Sequence, residues 1–321
     1  MLVRFTSILP LVMTGILSSA AVLAKALPEK AADRDIAQLY HSLPPLPRTS
    51  LPERLNLISA SFLGKPYLLG ALGEGEHARF DQFPRYRTDA FDCDTYVTTV
   101  MALALSDSLT RFKRCLRNIR YHEGKRRFIL RNHFTDLDWN INNENAGRLR
   151  DITRTLTTPE GKPAFKIAEA LIDKPGWYAH FTHENIRLLS GPDELKQHRL
   201  VELQRQGKTL PRQTVTLPYI PLSVLFDEKG RPNLHFFNAI PDGAVIEIVR
   251  PDWDIKDRIG TRLNISHLGF VFRVKGIQMF RQASSEHQKV VDVPLTDYLK
   301  KAIKSPTIRG INIQVVLKGD C

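Results

Sequence analysis

The stretch Arg87-Thr88-Asp89-Ala90-Phe91-Asp92-Cys93-Asp94-Thr95-Tyr96-Val97 sets one cysteine where a polar, acidic segment turns into an apolar run. Val97, Val100, Met101 and Ala104 recur at helical spacing, so the run to Leu105 reads as a buried helix. Asp92 suits the N-cap, which puts Cys93 in the first turn. Backbone N–H groups are unpaired there and the helix dipole favours negative charge. A thiol in that place loses its proton more readily, and the thiolate is the nucleophile. The plainer alternative is a small apolar residue at a helix start, and the rest of the chain has to decide between the two.

Upstream, Gly64-Lys65-Pro66-Tyr67-Leu68-Leu69-Gly70 and Leu72-Gly73-Glu74-Gly75 suggest tight backbone in close approach to a neighbour. Ser50-Leu51-Pro52-Glu53 is a helix start, with Leu55, Ile58 and Phe62 on its buried face. Ala31 to Leu43 reads as a short amphipathic helix, and Leu43-Pro44-Pro45-Leu46-Pro47 as an extended linker. At the beginning, Arg4 precedes an almost uncharged apolar segment, Phe5 to Leu23, followed by Ala24-Lys25-Ala26. This is the layout of a secretory signal peptide, residues 1–26, with an A-x-A cleavage site; an uncleaved anchor helix is the alternative, since the segment is near the lower limit for spanning. No later stretch is long and apolar enough to cross a membrane, so no integral membrane segment is expected after cleavage. The expected location is periplasmic or secreted.

Export bears on the cysteines. Three are present, Cys93, Cys115 and Cys321, and an odd count in an oxidising compartment leaves at least one thiol free. Cys115 lies in a basic helix-like run, Arg111 to Arg120, and reads as structural. Cys115 and Cys321 can pair or stay apart, and spacing does not say which. Cys93 is the candidate for the free, reactive thiol. The formal charge of +12 fits nucleic acid or an acidic polymer or peptide. The basic residues look spread along the chain, with no RNP, zinc-finger or basic-helix pattern, so nucleic acid is not expected as a partner.

Between Leu105 and Ile240 the pattern is weaker. Tyr121 to Phe128 can hold a strand. Around Asp138-Trp139 and Asn143 the chain is rich in amides beside an aromatic ring, which suits sugar or peptide recognition. A polar turn capped by its own asparagines is the alternative. His180 and His183 do not follow the H-E-x-x-H order of a zinc site, and no metal is expected.

From Ile240 the signals turn to strands. Ile240-Pro241-Asp242-Gly243 is a turn and Ala244 to Val249 an apolar strand. In Ile265-Ser266-His267-Leu268-Gly269-Phe270-Val271-Phe272, Leu268, Phe270 and Phe272 share one face, and His267, Gly269 and Val271 the other. If Lys275-Gly276 is a two-residue hairpin turn, Val274 faces Ile277, Gly269 faces Gln282 and His267 faces Ser284. Gln282 then lies diagonal to His267, within hydrogen-bond reach, and Gly269 leaves room for another segment. Thr296 to Ile303 reads as a last helix and Ile311 to Leu317 as a closing strand.

A thiolate nucleophile needs an imidazole as base and then acid, and the imidazole needs a polar neighbour to fix its tautomer. His267 and Gln282 meet that need for Cys93. The oxyanion needs donors, for which the Cys93 backbone N–H and the Tyr67 hydroxyl are candidates.

The ordered set Gly64 to Gly70, Phe91-Asp92-Cys93 and Ser266-His267-Leu268-Gly269 resembles the NlpC-type cell-wall cysteine hydrolases. Leu72 to Gly75, Asp89 to Val97, Asp138-Trp139 with Asn143, Asp151-Ile152-Thr153, Ile240 to Gly243, Ile265 to Phe270 and Ala283-Ser284-Ser285 are similar to its N-acetylmuramoyl-L-alanine amidase-like branch, formerly a domain of unknown function. The resemblance implies an α+β fold with a papain-like core, in which a helix bearing the cysteine packs on an antiparallel sheet bearing the histidine. It implies an N-terminal helical segment at 27–63 and an amidase domain at 64–321 with a large insert at about 106–239. It implies hydrolysis of the bond between (anhydro-)N-acetylmuramic acid and L-Ala through a Cys93 thioester, with no cofactor. Cys93, His267 and Gln282 would be catalytic; Tyr67, Asp92, Asp138, Trp139, Asn143 and Ser284 would bind substrate or the oxyanion; muropeptides or peptidoglycan would be the partner. Where relatives often carry a second histidine before Ala-Ser-Ser, this chain has Gln282. An endopeptidase cutting D-Glu from the diamino acid, or a non-catalytic muropeptide binder, is the alternative.

Overall fold

The computed structural model describes residues 27–44 and 48–321. The expected signal peptide, residues 1–26, and most of the proline-rich linker lie outside them. Among the described residues, no helix is long and apolar enough to cross a membrane.

The first four helices are α1 (Leu27–Ser42), α2 (Leu51–Ala60), α3 (Cys93–Ala104) and α4 (Leu109–Arg120). α3 starts where the sequence places it. Asp92 is the N-cap: its Oδ1 accepts from the Thr95 N–H at 2.8 Å, and Thr95 Oγ1 accepts from the Asp92 N–H at 2.9 Å. This reciprocal pair satisfies two otherwise orphaned donors. Every side chain from Thr95 to Ala104 is buried, and each large apolar one contributes about 1.5–3 kcal/mol. At the other end Arg54 of α2 reaches under the helix. Its Nε donates to the Ala104 carbonyl at 3.1 Å and its Nη2 to that of Ser106 at 2.8 Å. A cation there satisfies the free carbonyls and opposes the negative end of the dipole.

The strands are β1 (Leu149–Asp151), β2 (Lys166–Asp173), β3 (Arg212–Pro221), β4 (Val245–Asp254), β5 (Arg262–Val274), β6 (Ile277–Ser284), β7 (Lys289–Pro294) and β8 (Gly310–Val316). They form a mixed-order sheet, β2-β3-β8-β4-β5-β6-β7, with β1 also paired to β8, and every pairing is antiparallel. The Lys275-Gly276 turn is as expected: both residues have positive φ, 51° and 80°, and Val274 pairs with Ile277. Phe270 pairs with Arg281, the register that sets Gly269 opposite Gln282. The space beside Gly269 is not left for another segment. A Cβ there would come within 2.7 Å of the Phe280 ring and 2.8 Å of the Arg281 carbonyl, so β6 itself occupies it.

Helices cover both faces. Leu268, Phe270 and Phe272 join α1 to α4 in one core, while Val271, Phe280, Ile246, Ile248, Ile311 and Ile313 pack against Phe236, Phe237, Leu295 and Leu299 on the other. The alternation in β5 therefore holds. Residues 106–239 contribute β1, β2 and β3 to the sheet. The strand expected at Tyr121 to Phe128 is absent. Glu123 and Gly124, with φ of 51° and 64°, turn the chain back, so that only short 3₁₀ turns form at His122–Gly124 and Phe128–Leu130.

Cys115 on α4 and Cys321 form a disulfide, Cα to Cα 4.3 Å, which leaves Cys93 as the free cysteine. The basic residues are not evenly spread, contrary to the linear reading. Residues 109–131 carry nine arginines and lysines and one glutamate, a net +8 of the chain's +12. The apolar face of α4 (Phe112, Cys115, Leu116, Ile119) is buried together with Arg120, which turns Arg111, Arg114 and Arg117 outward.

Candidate active site

Cys93 is half-buried at the start of α3, with the Leu268 backbone N–H of β5 directed at its sulfur. The ladder between β4 and β5 slips by one residue here: His267 pairs with Ile248, but Ile265 with Val249. Such a bulge re-aims side chains and frees backbone groups. The sequence argument expects an acidified thiol; the structure shows the reverse. Burial, then the charges of Asp92 and Asp94, push the Cys93 thiol well up, and the N–H groups of Leu268 and Asp94 pull against them. Desolvation and two neighbouring carboxylates outweigh the helix dipole, so the resting group is a thiol.

His267 Nε2 is hydrogen-bonded to Gln282 Oε1, the diagonal contact expected from the hairpin. An amide oxygen only accepts, so Nε2 carries the proton and Nδ1 keeps its lone pair. Tyr298 stacks on the imidazole with ring centroids 6.3 Å apart and planes 26° apart, and Phe280 meets it edge-on at 5.9 Å. Burial lowers His267 to about 4, against the Gln282 hydrogen bond and the Asp92 charge, which raise it. Cys93 and His267 are thus both neutral near pH 7, and they are not hydrogen-bonded to one another. They share their surroundings: Asp92 acts on both, and Cys93 acts on Tyr298 as well as on Tyr67.

Tyr67 runs beside the residue pair preceding Cys93. Its own N–H donates to the Gln288 carbonyl at 3.0 Å, the Phe91 N–H donates to Pro66 at 3.0 Å, and the Leu68 N–H to Phe91 at 2.9 Å. Burial and the nearby Cys93 push the Tyr67 phenol up to about 12, so it stays a donor, and so does Tyr298, also raised to about 12. Asp92 does not meet substrate as a free carboxylate. Oδ1 is taken by Thr95, and Oδ2 accepts from the Gly70 N–H at 2.8 Å. Gly70 has φ of 65°, a conformation glycine takes without strain. Asp92 is therefore a positioning residue that ties the Tyr67 loop to α3.

A cavity of about 180 Å³ lies against the first turn of α3, bordered by Asp92, Asp94, Arg120, Arg131, Trp139 and Arg187; Cys93 and His267 are not among the residues that line it. The Asp94 carboxyl is pushed up to about 7 by burial and by Asp92, against Arg120 and Arg131. Arg187 is anchored to the Gly70 carbonyl at 2.5 Å, the Leu72 carbonyl at 3.0 Å and the Asp81 carboxylate. Burial would raise Asp81, but Arg131 and Arg187 hold it below its ordinary value. Two residues of this cavity carry buried donors, Trp139 Nε1 and Arg131 Nε, without a hydrogen-bond partner among the described residues.

The remaining expected binders are each held by contacts within the fold. Trp139 is 1% exposed, so its ring offers no open stacking face, although the residue borders the cavity. It sits at the end of a π-helical turn, Thr135–Trp139. Asn143 is fully buried, donating to the Trp139 carbonyl at 2.8 Å and accepting from Arg148 Nε at 2.7 Å. Asp138 is paired with Lys174 at 2.6 Å. The polar turn held by its own amides is thus what this segment forms. Ser284 accepts from the His287 N–H at 3.1 Å and pairs with His287 Nδ1 at 3.0 Å, closing the turn after β6. The linear pattern carries no signal for Tyr298, Arg120, Arg131 or Arg187, which come from distant segments; Asp94 was in the motif itself.

The AmiA-like family model, described as N-acetylmuramoyl-L-alanine amidase-like, matches residues 57–308. A crystal structure of a protein from Legionella pneumophila is 53% identical, over 93% of this chain and 97% of that one, with a TM-score of 0.87. A crystal structure of an N-acetylmuramoyl-L-alanine amidase from Bacteroides uniformis is 22% identical, over 83% of this chain and 99% of that one, with a TM-score of 0.56. At that identity the likeness speaks to fold alone. No curated protein matches the chain. With the family model covering most of its length, the chain belongs to the AmiA-like, N-acetylmuramoyl-L-alanine amidase-like family.

Proposed function

We propose that the protein is a cysteine amidase of the NlpC type, with a papain-like core, that hydrolyses the amide between the lactyl group of (anhydro-)N-acetylmuramic acid and L-Ala. A peptidoglycan amidase-like function is what the family carries. One observation bears the mechanistic step: Cys93 opens α3 with the Leu268 N–H directed at its sulfur, and His267, the residue before Leu268 on β5, has its Nε2–H bound to Gln282, which leaves Nδ1 as the base.

His267 Nδ1 takes the Cys93 proton as the sulfur attacks the lactyl carbonyl. The oxyanion is met by donors at the site, the Tyr67 and Tyr298 phenols among them. The C–N bond breaks, the imidazolium returns its proton to the departing L-Ala amine, and a lactyl thioester remains. His267 then deprotonates a water, which hydrolyses the thioester to the free carboxylic acid and the thiol. Because both partners rest neutral, sulfur attack and proton transfer are coupled. The cavity of Arg120, Arg131, Asp94 and Trp139 suits the peptide carbonyls and carboxylates of the stem. Residues 1–26 would export the protein to the compartment that holds peptidoglycan, with 27–63 as a helical lead and 64–321 as the amidase domain.

The test is Cys93→Ala on a defined anhydro-muropeptide, read by mass spectrometry. Wild type releases the free anhydro-sugar and the intact stem peptide, and the variant releases neither while melting like wild type. Unchanged products from the variant would sink the mechanism, and a sugar-dipeptide product from wild type would mean an endopeptidase.

A further inference from the structure

Apart from Arg120, the basic surface of α4 is not used by the site above. A second cavity, about 290 Å³, opens between α4 and the Arg85-Tyr86 segment. Six cations border it: Arg85, Lys113, Arg114, Arg117, Arg120 and Arg126, with no carboxylate among its lining residues. Arg85 and Lys113 are offset from outside by Glu29 and Asp33. The other four have no ion-pair partner among the described residues. Arg114 donates to Cys321 O at 2.6 Å, and Arg120 donates to the Gly73 carbonyl at 3.3 Å and acts on the Asp94 and Glu74 carboxyls, which orients both. Arg117 and Arg126 are exposed.

Aromatic rings stiffen this array. Lys113 Nζ lies 4.9 Å from the Tyr86 ring centre, and the Arg120 guanidinium 5.6 Å from that of Tyr121. Like charges gathered around one cavity repel each other unless an anion joins them. Planar guanidinium forks suit phosphate or carboxylate oxygens bidentately. The exposed forks of Arg117 and Arg126, which have no ion-pair partner among the described residues, call for a ligand with more than one anionic oxygen. The volume is at the low end for small-molecule sites, about 300–1,000 Å³, which favours a compact anion over a polymer.

We propose that this cavity binds a compact, multiply charged phosphate anion, of the diphosphate or bisphosphorylated-sugar class, free or as the headgroup of a surface. Of the muropeptide site it shares only Arg120, which borders both cavities. The site is thus separate from Cys93, and the proposal does not depend on the amidase reading.

Inorganic pyrophosphate titrated calorimetrically into the full chain tests it, alongside Arg117→Glu/Arg126→Glu. Neither side chain has a hydrogen-bond or ion-pair partner among the described residues, so this variant keeps the fold. We expect a saturable one-site isotherm for wild type, weakened at least about tenfold in the double variant. Muropeptide cleavage by the variant stays at the wild-type rate. Vesicles containing phosphatidic acid separate the sources: binding that pyrophosphate displaces means a headgroup on a surface, and no vesicle binding beside a good isotherm means a soluble ligand. Absence of both, equal binding by the double variant, or binding to single-stranded DNA that pyrophosphate does not displace would each overturn the assignment.

Discussion

Gln282→Leu is the substitution that separates positioning from packing at this site. Gln282 is 2% exposed and bonded through Oε1 to His267 Nε2. Leucine keeps most of its volume and removes the acceptor. In the resting enzyme the neutral Nε2–H loses a bond of about 0.5–1.5 kcal/mol, and a stranded buried donor costs about 1–3 kcal/mol of stability. As the reaction proceeds the imidazole becomes charged, and hydrogen bonds to charged groups are worth about 1.5–3 kcal/mol. Only the part that grows toward the transition state lowers kcat, about 1–2 kcal/mol, or a fall of about 5- to 30-fold. KM should not change, because Gln282 does not line the cavity at the first turn of α3. The pH profile adds a sign. His267 works as a base when neutral, so activity falls as pH drops through about 4. The Gln282 bond raises that value against burial, so Gln282→Leu moves the acid limb lower, and Gln282→Glu, which places a carboxylate there, moves it higher. Steady-state kinetics on an anhydro-muropeptide, with product separated by chromatography from pH 3 to about 8, reads all three. A kcat within twofold of wild type, or acid limbs that coincide in the three proteins, would refute the role given to Gln282.

Two further outcomes concern the frame. Arg54→Met strands the buried Ala104 and Ser106 carbonyls at the end of α3 and should destabilise the fold by about 2–4 kcal/mol in urea unfolding, with Arg54→Lys failing to restore it because one ammonium cannot match the planar fork; a loss under about 1 kcal/mol would remove the capping argument. Glu247, fully buried on β4 and bonded to Asn140 at 3.1 Å, is held well above the ordinary carboxyl range by burial. Unfolding then releases its proton above the unfolded pKa, so this residue costs stability as pH rises. Glu247→Gln should therefore raise Tm more at pH 8 than at pH 5, and an equal change at both would show that Glu247 does not titrate on unfolding.

Local chemistry made part of this protein legible from its residues alone. The cap of α3, the buried apolar run behind Cys93, the alternation of β5 and the Lys275-Gly276 turn all depend on neighbours within a few positions. From the turn, the His267–Gln282 pair follows by counting, since antiparallel register is arithmetic once the loop length is set. Other features depend on which distant segments meet. Trp139 and Asn143 look like binders in a line of amides, yet the turn they sit in folds inward and uses them as core. Arg111, Arg114 and Arg117 look scattered until α4 buries its apolar face and turns them outward together, while Arg120 is drawn inward. Cys93 itself changed most. Its place at a helix start, which a linear reading can see, predicts an acid thiol. Its desolvation beside Asp92 and Asp94 under β5, which only the packed structure contains, makes it a weak one. Solvent exclusion is a property of the whole assembly, and it outweighs the dipole of a single helix.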